Sequence, residues 1–131
     1  MLSQIAKSRI INSIYLTENI FPKKSIALLN RPIESPTFDQ ACELNGKNIG
    51  YKRVALRGED VFHYAEKEPV ISNRVEIEFN HNDGEDNWDT IVGLAIISDD
   101  IVVTEIELNN SIIIKPNQKF LINKGLLTIK F

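Results

Sequence analysis

An acidic segment around Gly84 is the part of this sequence whose residue types come closest to a metal site. Its carboxylates lie between positions 83 and 89, and carboxylate oxygens are ligands that calcium prefers: Asp83, Glu85, Asp86 and Asp89. An EF-hand loop with Gly84 as its glycine requires an acidic twelfth residue, but that position is Thr90. The segment therefore predicts a solvated loop between strands, and no metal or cofactor is expected.

The other polar residues do not form a catalytic motif. His63 and His81 have neither HExxH spacing nor a cysteine partner, and no GxSxG motif could use either as a base. The glycines match neither phosphate-binding pattern, P-loop or GxGxxG. Carboxylates two residues apart, such as Glu76 and Glu78, share one face of a strand, whereas glycoside cleavage needs carboxyls that face each other. We predict a protein that is not an enzyme; a small enzyme or an enzyme inhibitor is a third, less favoured hypothesis.

Aromatic side chains offer a different function, because their large apolar faces can stack on sugars. Most of them alternate with polar neighbours, as core residues of strands do, and a place in the core is the interpretation that we prefer. Trp88 precedes a predicted strand beside the polar loop, and Tyr64 lies in the segment 58–73. These residues carry the alternative hypothesis of a carbohydrate-binding module that recognises a host surface glycan.

Length and charge narrow the class of protein. A chain of 131 residues suits one domain that buries about two thirds of the surface of its unfolded state. With 15 basic and 18 acidic side chains the formal charge is −3, so no nucleic-acid or membrane partner is expected. The single Cys42 cannot form an intrachain disulfide, which favours a reducing compartment. Gln4 and Lys7 interrupt the apolar N-terminal residues, so no signal peptide is predicted and synthesis in a cytoplasm is expected.

Residues 1–20 are predicted to contain one amphipathic helix, with Ser3 as its N-cap and its end near Asn19 and Pro22. Apolar residues recur at spacings of three and four and form a wide face: Leu2, Ile5, Ala6, Ile10 and Ile14, widened by Ile11, Tyr15 and Leu16. Packing of the whole face on the protein's own sheet is the favoured interpretation. In the alternative, part of the face contacts another subunit, with Ile10, Ile14 and Tyr15 as candidate interface residues.

Residues 25–131 are predicted to form an antiparallel β-sandwich or jelly roll, so the chain is mainly β with one N-terminal helix in a single domain, 1–131. Seven or eight short apolar runs are separated by turn residues, with no helical pattern between them. The predicted strands are 25–30, 51–57, 75–79 and the runs WDTIVGLAII, IVVTEIEL, SIIIK, KFLI and LLTIKF. Tight turns are predicted at 98–100, 109–110, 116–117 and 123–125, and long loops at 31–48 and 58–73.

Landmarks along nearly the whole chain resemble a family of small bacteriophage virion proteins, often labelled tail fibre or minor structural proteins. They follow the helix and the strand IALLN in this order: Glu43 eight residues before Tyr51-Lys52-Arg53, Asn73 six residues before Phe79, the stretch from Trp88 to Asp99, and a final strand pair around a glycine. The family frame has an acidic residue before a Gly-Tyr-x-Arg strand, and a Trp-Gly motif before a strand that ends in Asp. Asp89 stands here in place of that motif's glycine.

The resemblance implies a non-enzymatic virion building block in the tail, at a fibre attachment or on the head. Such a protein is located in the virion, forms a homo-oligomer and docks on other virion proteins. The family supplies no catalytic residues that could be carried over. The charges that we first expect to pair across subunits are Arg53, Arg57 and the acidic loop 83–89.

Overall fold

A computed structural model of the chain describes residues 2–35, 42–57, 62–64 and 70–130. The described part contains one helix and nine strands: α1 (Gln4–Tyr15), β1 (Lys24–Leu29), β2 (Val54–Ala55), β3 (Phe62–Tyr64), β4 (Val70–Asn73), β5 (Ile77–His81), β6 (Ile91–Ser98), β7 (Ile101–Ile112), β8 (Lys119–Ile122) and β9 (Thr128–Lys130). The chain is mainly β with antiparallel sheets after one N-terminal helix, which is consistent with a β-sandwich-like fold. The predicted fold class is confirmed.

The chain divides into two compact units, each built from separate segments. Residues 1–23, 56–77 and 121–131 form what we call the helical unit. Residues 24–55 and 78–120 form the four-stranded unit. A single domain over residues 1–131, with residues 25–131 as one sandwich, stays a prediction.

Helix α1 of the helical unit begins where the sequence predicts. The Ser3 hydroxyl accepts a hydrogen bond from the Ala6 amide at 3.1 Å, as an N-cap does. The helix ends earlier than predicted, with Leu16 as its C-cap. The Thr17 hydroxyl donates to the Ser13 carbonyl at 2.8 Å, so a side chain takes over a carbonyl of the last turn. No described helix has the length and apolar character needed to cross a bilayer.

The buried face of α1 differs from the predicted one. The helix contacts β4, and its buried residues are Ile11 and Tyr15. Ile5 is 70% exposed and Ile10 is 37% exposed, so the prediction that the whole apolar face packs on the protein's own sheet is wrong. The apolar residues occupy more of the helix circumference than one short strand can cover, and only the strip through Ile11 and Tyr15 is enclosed.

A three-stranded sheet in the order β3-β4-β9 completes the helical unit. Strands β3 and β4 pair within the predicted loop 58–73, so that prediction is wrong; strands of three and four residues are too short to show a clear alternation. The buried Asn73 side chain donates to the carbonyls of Val75 and Asn123 and accepts from the Leu127 amide. The predicted turn 123–125 is confirmed, with Gly125 at φ +82°.

The second unit contains a four-stranded sheet in the order β2-β1-β6-β7. Strand β1 pairs along its whole length with β6, from Lys24 opposite Ser98 to Leu29 opposite Gly93. One face of the sheet carries a cluster of buried residues: Ala27, Leu29, Cys42, Ala95 and Ile97. The predicted turn 98–100 is confirmed between β6 and β7, with Asp99 at φ +53°.

Strand β7 is longer than the sequence predicts. A turn was expected at residues 109–110, but β7 continues through them to Ile112, so this prediction is wrong. The register of β6 and β7 changes from Gly93 opposite Glu107 to Ile91 opposite Ile112. Four residues of β7, 108–111, thus lie opposite the single residue Val92 of β6, so β7 carries three extra residues here. The two asparagines form an irregularity in one strand instead of reversing the chain.

A separate two-stranded sheet contains β5 and β8. The burial of β5 alternates at its start, as predicted for residues 75–79, and the buried Phe79 meets Phe120 edge to face with 5.5 Å between ring centroids. On the exposed side Lys119 donates to Glu78. This hydrogen bond, with the charge of Lys119, lowers the pKa of Glu78. The predicted turn at 116–117 is confirmed, with Asn117 at φ +69°.

Candidate functional site

Glu43 lies in a short segment that runs antiparallel beside the end of β1, where it forms an isolated bridge with Leu29. The Leu44 amide donates to the Leu28 carbonyl at 3.1 Å, and the Asn30 amide donates to the Cys42 carbonyl at 2.9 Å. Strand β2 pairs with residues 25 and 26, nearer the start of β1. Because β6 occupies the other edge of β1, residues 42–44 and β2 share this edge. The predicted strand 51–57 is therefore reduced to two residues, and the chain between the two segments folds back over the edge.

Three side chains meet at this place in the four-stranded unit. Arg53 binds Glu43 at two points, from Nε to Oε2 and from Nη2 to Oε1, both at 2.8 Å. The Tyr51 hydroxyl donates to Glu43 Oε2 at 2.5 Å and accepts from the Leu28 amide at 3.1 Å. The Glu43 side chain is 11% exposed and the Arg53 side chain 30%, so the carboxylate of this two-point pair is largely shielded from water and the guanidinium partly. We call Glu43, Tyr51 and Arg53 the Glu43 network.

Electrostatics hold Tyr51 and Arg53 of the Glu43 network each in one protonation state. Burial, followed by the hydrogen bond to Glu43, raises the pKa of the Tyr51 phenol far above its ordinary value. The hydrogen bond to Glu43 also raises the pKa of the Arg53 guanidinium. Tyr51 is therefore a neutral hydrogen-bond donor and Arg53 is a cation over the whole physiological pH range.

A second polar cluster ties the loop before Tyr51 to the entry of β6. Asp89 Oδ2 accepts from the Asn48 side-chain amide at 3.2 Å and from that of Asn30 at 3.4 Å. In return the Asp89 backbone amide donates to Asn48 Oδ1 at 2.6 Å. The Lys47 ammonium lies 3.9 Å from Asp89 Oδ1. Two segments far apart in the sequence are thus joined by reciprocal hydrogen bonds.

Trp88 links this cluster to the Glu43 network. Its indole N–H donates to the Ile49 carbonyl at 2.9 Å, and its ring meets Tyr51 edge to face with centroids 5.9 Å apart. The side chain is buried, at 3% exposure. Trp88 therefore acts as an internal contact, and little of its ring faces solvent for a sugar to stack on.

The acidic loop 83–89 is organised by an asparagine. The buried Asn82 side chain donates to the carbonyls of Asp86 and Ile114 and accepts from the Gly84 amide. Within the residues described here, no group of three or more His, Cys, Asp and Glu side chains is placed to hold a metal ion. The loop geometry follows from these hydrogen bonds within the protein.

The predicted contact residues belong to two different units and to different environments. In the helical unit, Ile10 and Arg57 are exposed, Ile14 is half-buried and Tyr15 is buried; Tyr64 lies in β3, and its side chain is outside the described part. In the four-stranded unit, Arg53 and Trp88 contribute to the internal contacts above. Sequence reasoning missed the roles of Asn48 and Asp89. One sequence feature could have indicated that Glu43 is buried: this acidic residue lies between two apolar neighbours, Cys42 and Leu44.

The Glu43 network acts as a clamp. Both Glu43 oxygens and both hydrogen-bonding functions of the Tyr51 hydroxyl are engaged within the protein, so these groups hold the chain. No protein family, curated protein or solved structure matches this chain. The function is therefore argued from this geometry and from the order of the landmarks.

Proposed function

We propose that this chain is a non-enzymatic structural protein of a bacteriophage virion. It is a component of the tail, of a fibre attachment or of the head surface, and it works by assembling with copies of itself and docking on other virion proteins. The proposal starts from the ordered landmarks that resemble small virion proteins. What supports it further is the place of three of those landmarks, Glu43, the Tyr51–Arg53 stretch and Trp88, in the four-stranded unit.

One observation carries the proposal: the strongest landmarks of the resemblance make a single internal network. The acidic residue, Glu43, binds the tyrosine and arginine of the Gly-Tyr-x-Arg landmark, and the tryptophan packs on that tyrosine. Landmarks that are separated along the chain thus meet at one place in the fold. The landmark residues therefore hold the fold together. This suits a structural protein, whose function depends on its surfaces.

The glycine of the same landmark has a structural reason as well. Gly50 has φ +90°, and a Cβ atom there would lie 2.3 Å from the His81 carbonyl oxygen. Only glycine can bring the chain this close while it turns toward Tyr51. The Gly-Tyr-x-Arg landmark therefore combines a tight approach of the backbone with two side chains that bind Glu43.

Mass spectrometry of purified virions tests the proposal. Particles from a host that carries the gene are banded by density, and peptides of this chain are quantified against the major capsid protein. A non-structural protein of the same phage serves as the control, because banding should remove it. We expect a constant ratio of this chain to capsid protein across the particle band. If the chain is depleted together with the non-structural control, the proposed function is wrong.

A further inference from the structure

Strand β7 lies at the edge of the four-stranded sheet and is its longest strand. Among the described residues it pairs with β6 alone, while β6 also pairs with β1. Thr104 to Glu107 face Ile96 to Gly93 in a regular ladder between two register shifts. Within the described part of the chain no strand pairs with the outer side of this stretch, and the backbone N–H and C=O groups of such an edge are a template for one further strand.

Two adjoining pockets, which we together call the groove, lie on the face of the sheet beside β7. One pocket of about 250 Å³ is lined by Leu29, Arg31, Gly93, Glu105 and Glu107 among its residues. A second, of about 370 Å³, shares Glu105 and extends over Ile33, Glu34 and Val102. The absence of a side chain at Gly93 keeps the first pocket open where β6 passes beneath it. The groove is therefore lined in part by apolar residues and lies on the face of β7 that carries Glu105 and Glu107.

The charge of this groove is mainly negative. Glu105 and Glu107 are two residues apart on one face of β7, opposite Ala95 and Gly93, and both are exposed. Glu105 accepts from the Ile33 amide at 3.0 Å through Oε2, and no described cation forms an ion pair with either carboxylate. Glu34 adds a third negative charge and Arg31 one positive charge. A side chain that enters here meets a net negative field.

The charges argue against a second copy of this chain on the edge. Two β7 strands paired antiparallel around this stretch would bring the carboxylates of one copy against those of the other, which is destabilising. At the opposite edge of the sheet, the guanidinium of Arg53 is already bound to Glu43. The complementary partner is a different protein with basic side chains spaced like Glu105 and Glu107.

We propose that β7 is a docking edge, which adds an extended segment of another virion protein that carries Lys or Arg at alternating positions. Backbone hydrogen bonds to residues 104–107 supply the attachment. The alternating cations face Glu105 and Glu107 and select the partner and its register. This inference rests on the proposed function and names the kind of partner that such a building block takes.

The test is a titration of the full-length protein with three short synthetic peptides at low ionic strength. The first has Lys at alternating positions with Thr and Val between them, the second has Glu in place of Lys, and the third is the Lys peptide with a central proline that cannot complete the ladder. We expect the first peptide to bind at least about tenfold more tightly than the other two. The changes that this peptide causes in the backbone amide chemical shifts of the protein should centre on residues 104–107.

Matched variants distinguish binding at β7 from nonspecific electrostatic attraction of the Lys peptide to the protein. Glu105→Lys with Glu107→Lys should abolish the preference for the Lys peptide, and the isosteric pair Glu105→Gln with Glu107→Gln should weaken binding at least about tenfold without a change of shape. Glu85→Lys with Asp86→Lys makes the same change of net charge in an exposed loop and should leave the affinity within about twofold.

Three outcomes would overturn the inference. These are equal binding of the Lys and proline peptides, shifts centred away from β7, and self-association of the protein that the Glu105 and Glu107 variants abolish. The last would show that a second copy occupies the edge. The virion measurement is independent of all three. If the protein is present in particles but does not bind the peptides, only the docking edge is refuted. If it is absent from particles, the proposed function is refuted even if the peptides bind.

Discussion

At the scale of single residues, the described polar side chains of the four-stranded unit are mostly used to hold loops in place. Asn82 and Asp89 bind groups 32 and 59 residues away, and Glu43 binds side chains eight and ten residues further along the chain. A buried polar group that lacks its partner costs free energy, so each of these residues specifies one loop arrangement. The Glu43 network is the strongest example because it contains two opposite charges in a shielded place.

Removal of the Glu43 charge should therefore destabilise the protein. Glu43→Gln leaves Arg53 with a neutral partner and Tyr51 with a weaker acceptor, and we expect the free energy of unfolding to fall by about 2–4 kcal/mol. The measurement is urea unfolding of the wild type and the variant. Glu85→Gln, which removes the same charge from an exposed position, should change the free energy by less than about 0.5 kcal/mol. Equal effects would show that the network does not hold the fold.

The raised pKa of Tyr51 predicts a loss of stability in alkali. In the unfolded chain a tyrosine ionises near pH 10, whereas the folded state holds the phenol neutral to higher pH. The stabilisation is therefore complete below about pH 10 and is lost progressively as the pH rises above that value. Urea unfolding between pH 8 and pH 11 should show this decrease. A Tyr51→Phe variant should lose less stability across the same range; a parallel decrease in both proteins would contradict the assignment.

At the scale of elements, competition for the edges of strands explains much of the fold. Residues 42–44 and β2 divide one edge of β1 between them, and β6 takes the other. The turn that connects the two segments passes close to the backbone at His81, where Gly50 stands. The positive φ and close backbone approach at Gly50 are thus needed for β2 to pair with β1.

Substitution of Gly50 tests this condition. Gly50→Ala places a methyl group against the His81 carbonyl oxygen at a positive φ, and we expect a loss of more than about 3 kcal/mol in the free energy of unfolding. Gly46→Ala is the matched control, because a Cβ there meets nothing within 4 Å, and its effect should stay below about 1 kcal/mol. Thermal unfolding of both variants measures the difference. A tolerated Gly50→Ala would mean that the turn can relax away from His81.

At the scale of the whole molecule, function is expected to reside in surfaces. Apolar side chains of the N-terminal residues stay exposed on α1 and beside it, among them Leu2 at 48% and Ile5 at 70%. The described edge of β7 and its acidic groove form another available surface in the other unit. Self-association through α1 and docking of a basic strand on β7 are separate proposals with separate tests.

Light scattering of the purified protein across a concentration series tests self-association. We expect a closed oligomer, and Ile5→Asn with Ile10→Asn should shift it toward the monomer, because both side chains are exposed while Ile11 and Tyr15 keep the helix attached. Leu126→Asn changes an equally exposed apolar residue in a turn and should leave the mass unchanged. A monomeric wild type would direct attention to other virion proteins or to a ligand such as a host glycan.

Sequence patterns predicted α1, β1 and β6, and left the shortest strands and the full length of β7 unresolved. The N-cap of α1, strands β1 and β6, and the turns at 98–100 and 123–125 each depend on a few adjacent residues, so their patterns are local. Strands β3 and β4 were missed because three or four residues show no period. The asparagines at 109–110 have the composition of a turn, but the ladder with β6 keeps them in β7.

The sequence by itself determined the class of the fold, because alternation, turn residues and helix caps act over a few positions. It also determined the landmark order from which the resemblance was drawn. Only the tertiary structure decided that Glu43, Tyr51, Arg53 and Trp88 are in contact, that Ile11 and not Ile5 is buried, and that β7 is an edge. These facts depend on which strand takes which neighbour, and that choice is made by contacts between residues far apart in the chain.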